Sequence, residues 1–235
     1  MKVIACFLLA AALQTANAAN SDYCLEFDGK NARAEVTQVT GIQSLNLAAK
    51  YTFEVWVRPR TQGGGGRGRI LDQEGSSLTL YLSDEGRIGF RANRESGWQL
   101  SEAKSVSLWE WQHIAVTADG RFLRFFVDGK LVTAVPTNTA LSITKKPLFI
   151  GNGVGEDNSP RGFDGWIDDV RISDHCLWTK DFTPPARGVF RESDPSTVLY
   201  FTFDEGPAHH VALDYSTYNA ELEVESPMRR SRSPR

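Results

Sequence analysis

The sequence has little of what a helical, membrane-spanning or nucleic-acid-binding protein requires. Past the first 18 residues no stretch is apolar enough to cross a bilayer, which takes roughly 20 such residues in succession. Few segments show a helical period. No CxxC and no close Cys/His pair occurs, so a zinc site has no framework. No Asn-x-Ser/Thr sequon is present, so N-glycosylation is not expected. Basic residues are outnumbered, 26 to 29 acidic. Setting aside Lys2 and the terminal Arg229, Arg230, Arg232 and Arg235 leaves 21 against 29. That sign excludes a nucleic-acid-binding domain, whose electrostatic footprint is basic.

What is present begins with an N-terminal leader. Lys2 precedes an apolar run from Val3 to Leu13, and Ala16-Asn17-Ala18 supplies the small-x-small pattern that signal peptidase cleaves. The expected organisation is a signal peptide over residues 1–18, one domain over 19–225 and a disordered basic tail over 226–235. The product is therefore expected to be secreted, extracellular and free of transmembrane segments. Cysteine is sparse, and Cys6 leaves with the leader, so Cys24 and Cys176 remain. In an oxidising compartment they most simply form one disulfide, stabilising by up to about 5 kcal/mol. Two free buried thiols are the alternative.

From Tyr23 onward short alternating runs are divided by turns. Phe53, Val55 and Val57 share one face of a run that stops at Pro59; Leu78, Leu80 and Leu82 alternate with polar residues; Ile88, Phe90 and Ala92 do the same. Asp128-Gly129 forms a two-residue hairpin turn between Phe122–Val127 and Lys130–Val132. Leu148–Ile150, Trp166–Ile172 and Val198–Phe203 read as further strands. Antiparallel strands without intervening helices imply an all-β fold, two sheets stacked face to face.

Several segments then carry a family resemblance, in order. They are Leu25-Glu26-Phe27-Asp28-Gly29; Tyr51-Thr52-Phe53-Glu54-Val55-Trp56-Val57-Arg58-Pro59; Trp111-Gln112-His113-Ile114-Ala115-Val116-Thr117; Phe126-Val127-Asp128-Gly129; and Phe163-Asp164-Gly165-Trp166-Ile167-Asp168-Asp169-Val170. Together they resemble laminin-G-like jelly rolls of the concanavalin A-like lectin and glucanase type. The resemblance implies an antiparallel β-sandwich. Leu199–Gly206 resembles the segment that usually opens such a domain but comes last. It is expected to close the sandwich by pairing with the first strand; a truncated second repeat is the alternative.

Strand alternation places Trp166, Asp168, Val170 and Ile172 on one face of the closing strand. A carboxylate on an apolar face needs a partner. Calcium is one, and the resemblance implies a structural Ca2+ held by Asp28, the Gly29 carbonyl, Asp168 and Asp204. Pairing with an arginine, or capping of a backbone turn, is the other reading. The Glu-x-Asp-x-Glu strand of the glucanases is absent: Glu54 is followed by Val55-Trp56-Val57, and Glu192-Ser193-Asp194 adjoins Pro195. His209-His210 lies in a turn-like segment. The expected function is therefore non-catalytic recognition of a glycan or glycoprotein. An adhesive protein-binding component is the second reading, and a hydrolase without the usual acid strand the last. Three loops are candidates for contact: 63–69 with Arg67 and Arg69, 94–98 with Trp98, and 155–161 with Asp157 and Asn158. Trp98 either stacks on a sugar ring or packs in the core, whereas Trp56, Trp111 and Trp166 are expected in the core.

Overall fold

Strand β3 (Lys50–Pro59) shows why this chain builds stacked sheets. Its alternate residues Phe53, Val55 and Val57 are wholly buried in the apolar core, and Thr52, Glu54 and Trp56 face away from it. Burying each large apolar side chain contributes about 1.5–3 kcal/mol. The computed structural model describes residues 22–73, 78–138, 140–153, 161–189, 191, 194–205, 211–224 and 229–232, the last four by backbone alone. The leader, Asp157, Asn158 and His209-His210 lie outside the described residues.

Two antiparallel sheets pack around one core. The remaining strands of the first half are β1 (Tyr23–Asp28), β2 (Ala34–Val36), β4 (Arg67–Gln73), β5 (Thr79–Ser83), β6 (Arg87–Arg91), β7 (Gln99–Leu100) and β8 (Gln112–Asp119). Those of the second are β9 (Phe122–Val127), β10 (Lys130–Pro136), β11 (Leu148–Ile150), β12 (Asp164–Ser173), β13 (Thr197–Phe201), β14 (Val211–Leu213), β15 (Glu221–Val224) and β16 (Arg229–Arg232). A single short helix, α1 (Thr40–Gln43), is the one α-helix among the described residues. Sheet I runs β10-β9-β8-β3-β12-β1-β16, with β13 also on β12; sheet II runs β14-β15-β2-β11-β4-β5-β6-β7. At the β9–β10 turn Asp128 and Gly129 both take positive φ, 48° and 72°, as a two-residue hairpin requires.

Five expectations change here. The late segment does not pair with β1. Instead β13 and β1 share one side of β12, with β1 on Leu25↔Ile167 and β13 on Ile172↔Leu199, and β14 and β15 cross to sheet II. Arg229–Arg232, expected within a disordered tail, forms β16 against β1. Alternation in β12 is broken by a bulge: the register against β3 shifts between Asp168 and Arg171, and Asp169 takes φ 46°. The extra residue reverses the faces, so Ile167, Val170 and Ile172 line the core while Trp166 and Asp168 point outward.

For the same parity reason Trp56, Trp111 and Trp166 are half-buried outside the core. Trp56 meets His113, Trp111 lies under the Arg187 guanidinium, and Trp166 lies under those of Arg58 and Arg60. Lastly, Cys24 and Cys176 are free thiols. Cys24 sits on β1, whereas Cys176 donates to the Trp178 carbonyl, which Thr117 of β8 also binds. From β8 to β1 is three strand spacings, about 14 Å, well beyond disulfide reach.

Candidate functional site

The two outer faces of the sandwich are built differently. Over sheet I lies a strap, residues 174–189. Side chains of the sheet pin its backbone: Thr52 Oγ1 donates to the His175 carbonyl and accepts from Leu177 N–H, and Thr117 Oγ1 donates to the Trp178 carbonyl. Phe182 N–H donates to the Gly129 carbonyl, and Asp181 accepts from Leu131 N–H. Trp178 and Phe182 stack at 3.8 Å, and both stand roughly perpendicular to the His113 ring, at 6.2 and 5.9 Å.

Beneath the strap lies a row of buried charges, each matched by a partner of opposite sign. Glu54 accepts from His113 Nε2 at 3.2 Å and is flanked by Arg191 at 3.3 Å and Arg171 at 3.7 Å. Burial alone would raise the Glu54 carboxyl; the His113 hydrogen bond and the charges of Arg191 and Arg171 outweigh it and hold the group below its ordinary value. Arg171 also reaches Asp194 at 2.7 Å. The Glu54–His113 pair resembles a base and its orienting acid, but both side chains are 1% exposed.

The residues expected to hold calcium do not converge. Asp28 and Gly29 lie at one end of β1, where Asp28 Oδ1 accepts from the N–H groups of Lys30 and Ala32. Asp204 is at the other end, accepting from Tyr23 N–H. Five strand residues separate them, about 17 Å. Asp168, wholly buried, is near the Asp204 end and is held by Arg187 Nη1 at 2.9 Å, which also binds Asp22. Burial, then the charge of Asp169, pushes Asp168 well above the carboxylate range, with Arg187 opposing. Asp169 rises to about 6, and Asp204 to about 7, in each case mainly through burial. Among the described residues no three such side chains stand close enough to hold a metal ion. The arginine reading of Asp168 is the one this geometry supports.

The outer face of sheet II carries a different cluster. Arg69 on β4 pairs in register with Tyr81 on β5, which in turn pairs with Gly89 on β6. A Cβ at Gly89 would lie 2.0 Å from the Tyr81 ring, so glycine is what lets that ring cross the sheet. Trp98 stands edge-on to Tyr81 at 5.0 Å, with the Arg91 guanidinium 4.2 Å and that of Arg69 5.2 Å from its ring centre. Trp98 keeps 38% of its surface exposed. Arg69 N–H donates to the Arg161 carbonyl, and Arg69 bridges to Gly162, so the loops of Arg69 and Trp98 meet here beside Arg161.

Arg67 is exposed nearby, and its charge acts on the Tyr81 hydroxyl. Asp72 lies 3.6 Å from Arg69 and accepts from Thr79 Oγ1 at 2.7 Å. Tyr81 and Arg91 were not among the sequence candidates. Their signal was available in alternation: both occupy the non-core parity of strands whose other residues are Leu80, Leu82, Ile88 and Phe90.

A laminin G model of the concanavalin A-like lectin/glucanases superfamily matches residues 28–181. The chain belongs to this superfamily. No curated protein matches it in sequence. Among solved structures, a candidate carbohydrate binding protein from Bacteroides ovatus is 17% identical with a TM-score of 0.70, over 91% of this chain and 61% of that longer one. The CBM40 module of a Ruminococcus gnavus sialidase, bound to α2,3-sialyllactose, is 14% identical with a TM-score of 0.53, over 66% and 91%. A pentraxin from Limulus polyphemus is 16% identical with a TM-score of 0.51, over 67% and 78%. At such identities these likenesses show a shared fold.

Proposed function

We propose that this superfamily member is a secreted, non-catalytic recognition module that binds carbohydrate, free or on a glycoprotein, on the outer face of sheet II. The observation that carries the reading is the Trp98–Tyr81–Arg69–Arg91 cluster: an aromatic ring with open surface beside forked hydrogen-bond donors, the pairing a sugar's apolar face and polar rim call for. Sheet I is a poorer candidate, because the strap covers it. The Ruminococcus gnavus module supports the reading in that a similar fold there is bound to an oligosaccharide. Secretion rests on the leader pattern of residues 1–18 and is tested by N-terminal sequencing of exported protein, which should begin at Ala19.

The calcium implied by the resemblance is not carried into this proposal, since the four residues named for it are divided between the ends of β1 and Asp168 already holds Arg187. The deciding experiment is a glycan array with the mature chain and its Trp98→Ala variant. At least one glycan class should bind, and Trp98→Ala should weaken it about tenfold, or about 1.4 kcal/mol, at unchanged melting temperature. Binding that ignores Trp98 would move the site elsewhere. Failure of every glycan would bring the adhesive, protein-binding reading forward.

A further inference from the structure

We infer that the rim of the sandwich carries a second saccharide site, built on Trp109 and Arg58 and continued by the cleft beyond Leu108. It is separate from the Trp98 cluster and does not depend on it. Trp109 precedes β8, is 54% exposed and takes φ 66°, a backbone conformation that a bulky L-residue seldom adopts. Two hydrogen bonds to the end of β3 hold it there. Its N–H donates to the Pro59 carbonyl at 2.7 Å, and its own carbonyl accepts from Arg58 Nε at 2.9 Å. The fold thus strains its backbone to keep an indole half in solvent, where little burial offsets the cost.

The groups beside the ring are those a sugar uses. Trp166, in register with Arg58, lies 6.2 Å from Trp109 at 57°. The Arg58 guanidinium sits 5.3 Å from the Trp166 ring centre, and its Nη1 and Nη2 are accessible and have no protein acceptor among the described residues. Arg60, by contrast, is matched by Glu26 and Asp164. Leu108, 40% exposed, joins this platform to a cleft of about 730 Å³ lined also by Gln62, Glu85, Lys104 and Ser107, a volume usual for ligand sites. Glu85 and Lys104 take φ 58° and 60°, so three of the eight described non-glycine residues with positive φ fall along this one rim. Such outliers gather at ligand sites. The strap meets β3 at Thr52, six residues and about 20 Å from Arg58. The Trp109 ring can stack on the apolar face of a pyranose while Arg58 donates to its hydroxyls, and the cleft takes further units between Glu85 as acceptor and Lys104 as donor. A simple anion would leave the rings unused, and an apolar ligand would bury Arg58 unpaired.

The test is a glycan array, followed by calorimetric titration of the glycans it retains, on the mature chain and its Trp98→Ala, Trp109→Gly and Arg58→Gln variants. At least one glycan should stay bound to Trp98→Ala yet bind Trp109→Gly about tenfold or more weakly, and Arg58→Gln should weaken that same glycan about threefold or more. Glycine adopts φ 66° without strain, so Trp109→Gly should keep or raise the melting temperature. A fall of more than about 5 °C would show that the ring packs for stability, and overturns the inference. Unchanged binding by Trp109→Gly, or loss of the same glycans by both tryptophan variants, also overturns it and leaves the sheet II reading standing. Losses confined to Trp109→Gly and Arg58→Gln uphold this site and overturn the sheet II reading. A blank array overturns both.

Discussion

At the scale of single residues, space and charge make separate demands. Gly89 has no room for a side chain under Tyr81, so Gly89→Ala should displace that ring, cost about 1–3 kcal/mol in urea unfolding and abolish binding at Trp98. Unchanged binding would show that Tyr81 does not support the platform. Arg187 is the countercharge of a wholly buried carboxylate, and removing one member of such a pair costs about 3–5 kcal/mol. Arg187→Met should therefore destabilise strongly, and adding Asp168→Asn should recover much of the loss, which a double-mutant cycle reads directly. The cysteines differ from the sequence expectation for a positional reason. Both survive leader removal, but β3 and β12 separate their places on sheet I. Mass spectrometry of non-reduced protein should find two free thiols, and reductant should leave the melting temperature unchanged.

At the scale of elements, β12 decides more than any other strand. It pairs with β3 along one side and with β1 and β13 in succession along the other. Its bulge turns Asp168 outward while keeping Ile167, Val170 and Ile172 in the core. Asp169 adopts φ 46°, a conformation costing an ordinary L-residue about 1–2 kcal/mol, and branched residues most. Its Oδ2 also accepts from Gly188 N–H of the strap. Asp169→Gly should be tolerated far better than Asp169→Val, with urea midpoints giving the order. Equal midpoints would mean the bulge is not where the register shift places it. The strap adds what alternation does not show: a later segment folds back and lays the Arg187 guanidinium over Trp111.

At the scale of the whole molecule, the buried acids predict the pH profile. Asp168, Asp169 and Asp204 have folded-state values raised above the ordinary carboxylate, Asp169 to about 6 and Asp204 to about 7. The folded state then binds more protons than the unfolded one, so their contribution to stability is present at low pH and lost as pH rises through 6 to 7. Glu54 is lowered, and Asp119 is lowered to about 2; these contribute above the ordinary carboxylate pKa and are lost as pH falls through their folded values. Urea midpoints should thus peak on the mildly acidic side and decline toward both pH 8 and pH 2. Asp204→Asn should flatten the upper limb, and a profile rising steadily to pH 8 would contradict the assignment. Because Arg187 already compensates Asp168, calcium and EDTA should leave the melting temperature unchanged; a calcium-dependent rise abolished by Asp168→Asn would reverse that conclusion.

The sequence by itself determined the all-β sandwich, its hairpin at Asp128-Gly129 and its superfamily, because alternation and turn chemistry are local and were legible residue by residue. It also pointed to Arg69 and Trp98 from the polarity of their loops. Tertiary structure alone decided that these two meet, since β4 and the segment before β7 become neighbours only through the order of sheet II. It decided equally that Asp28 and Asp204 stand at opposite ends of β1, that a one-residue bulge reverses the faces of β12, and that residues 174–189 fold back over one sheet. Each of these depends on pairing between distant segments, where a single inserted residue or crossing strand changes which side chains share a face.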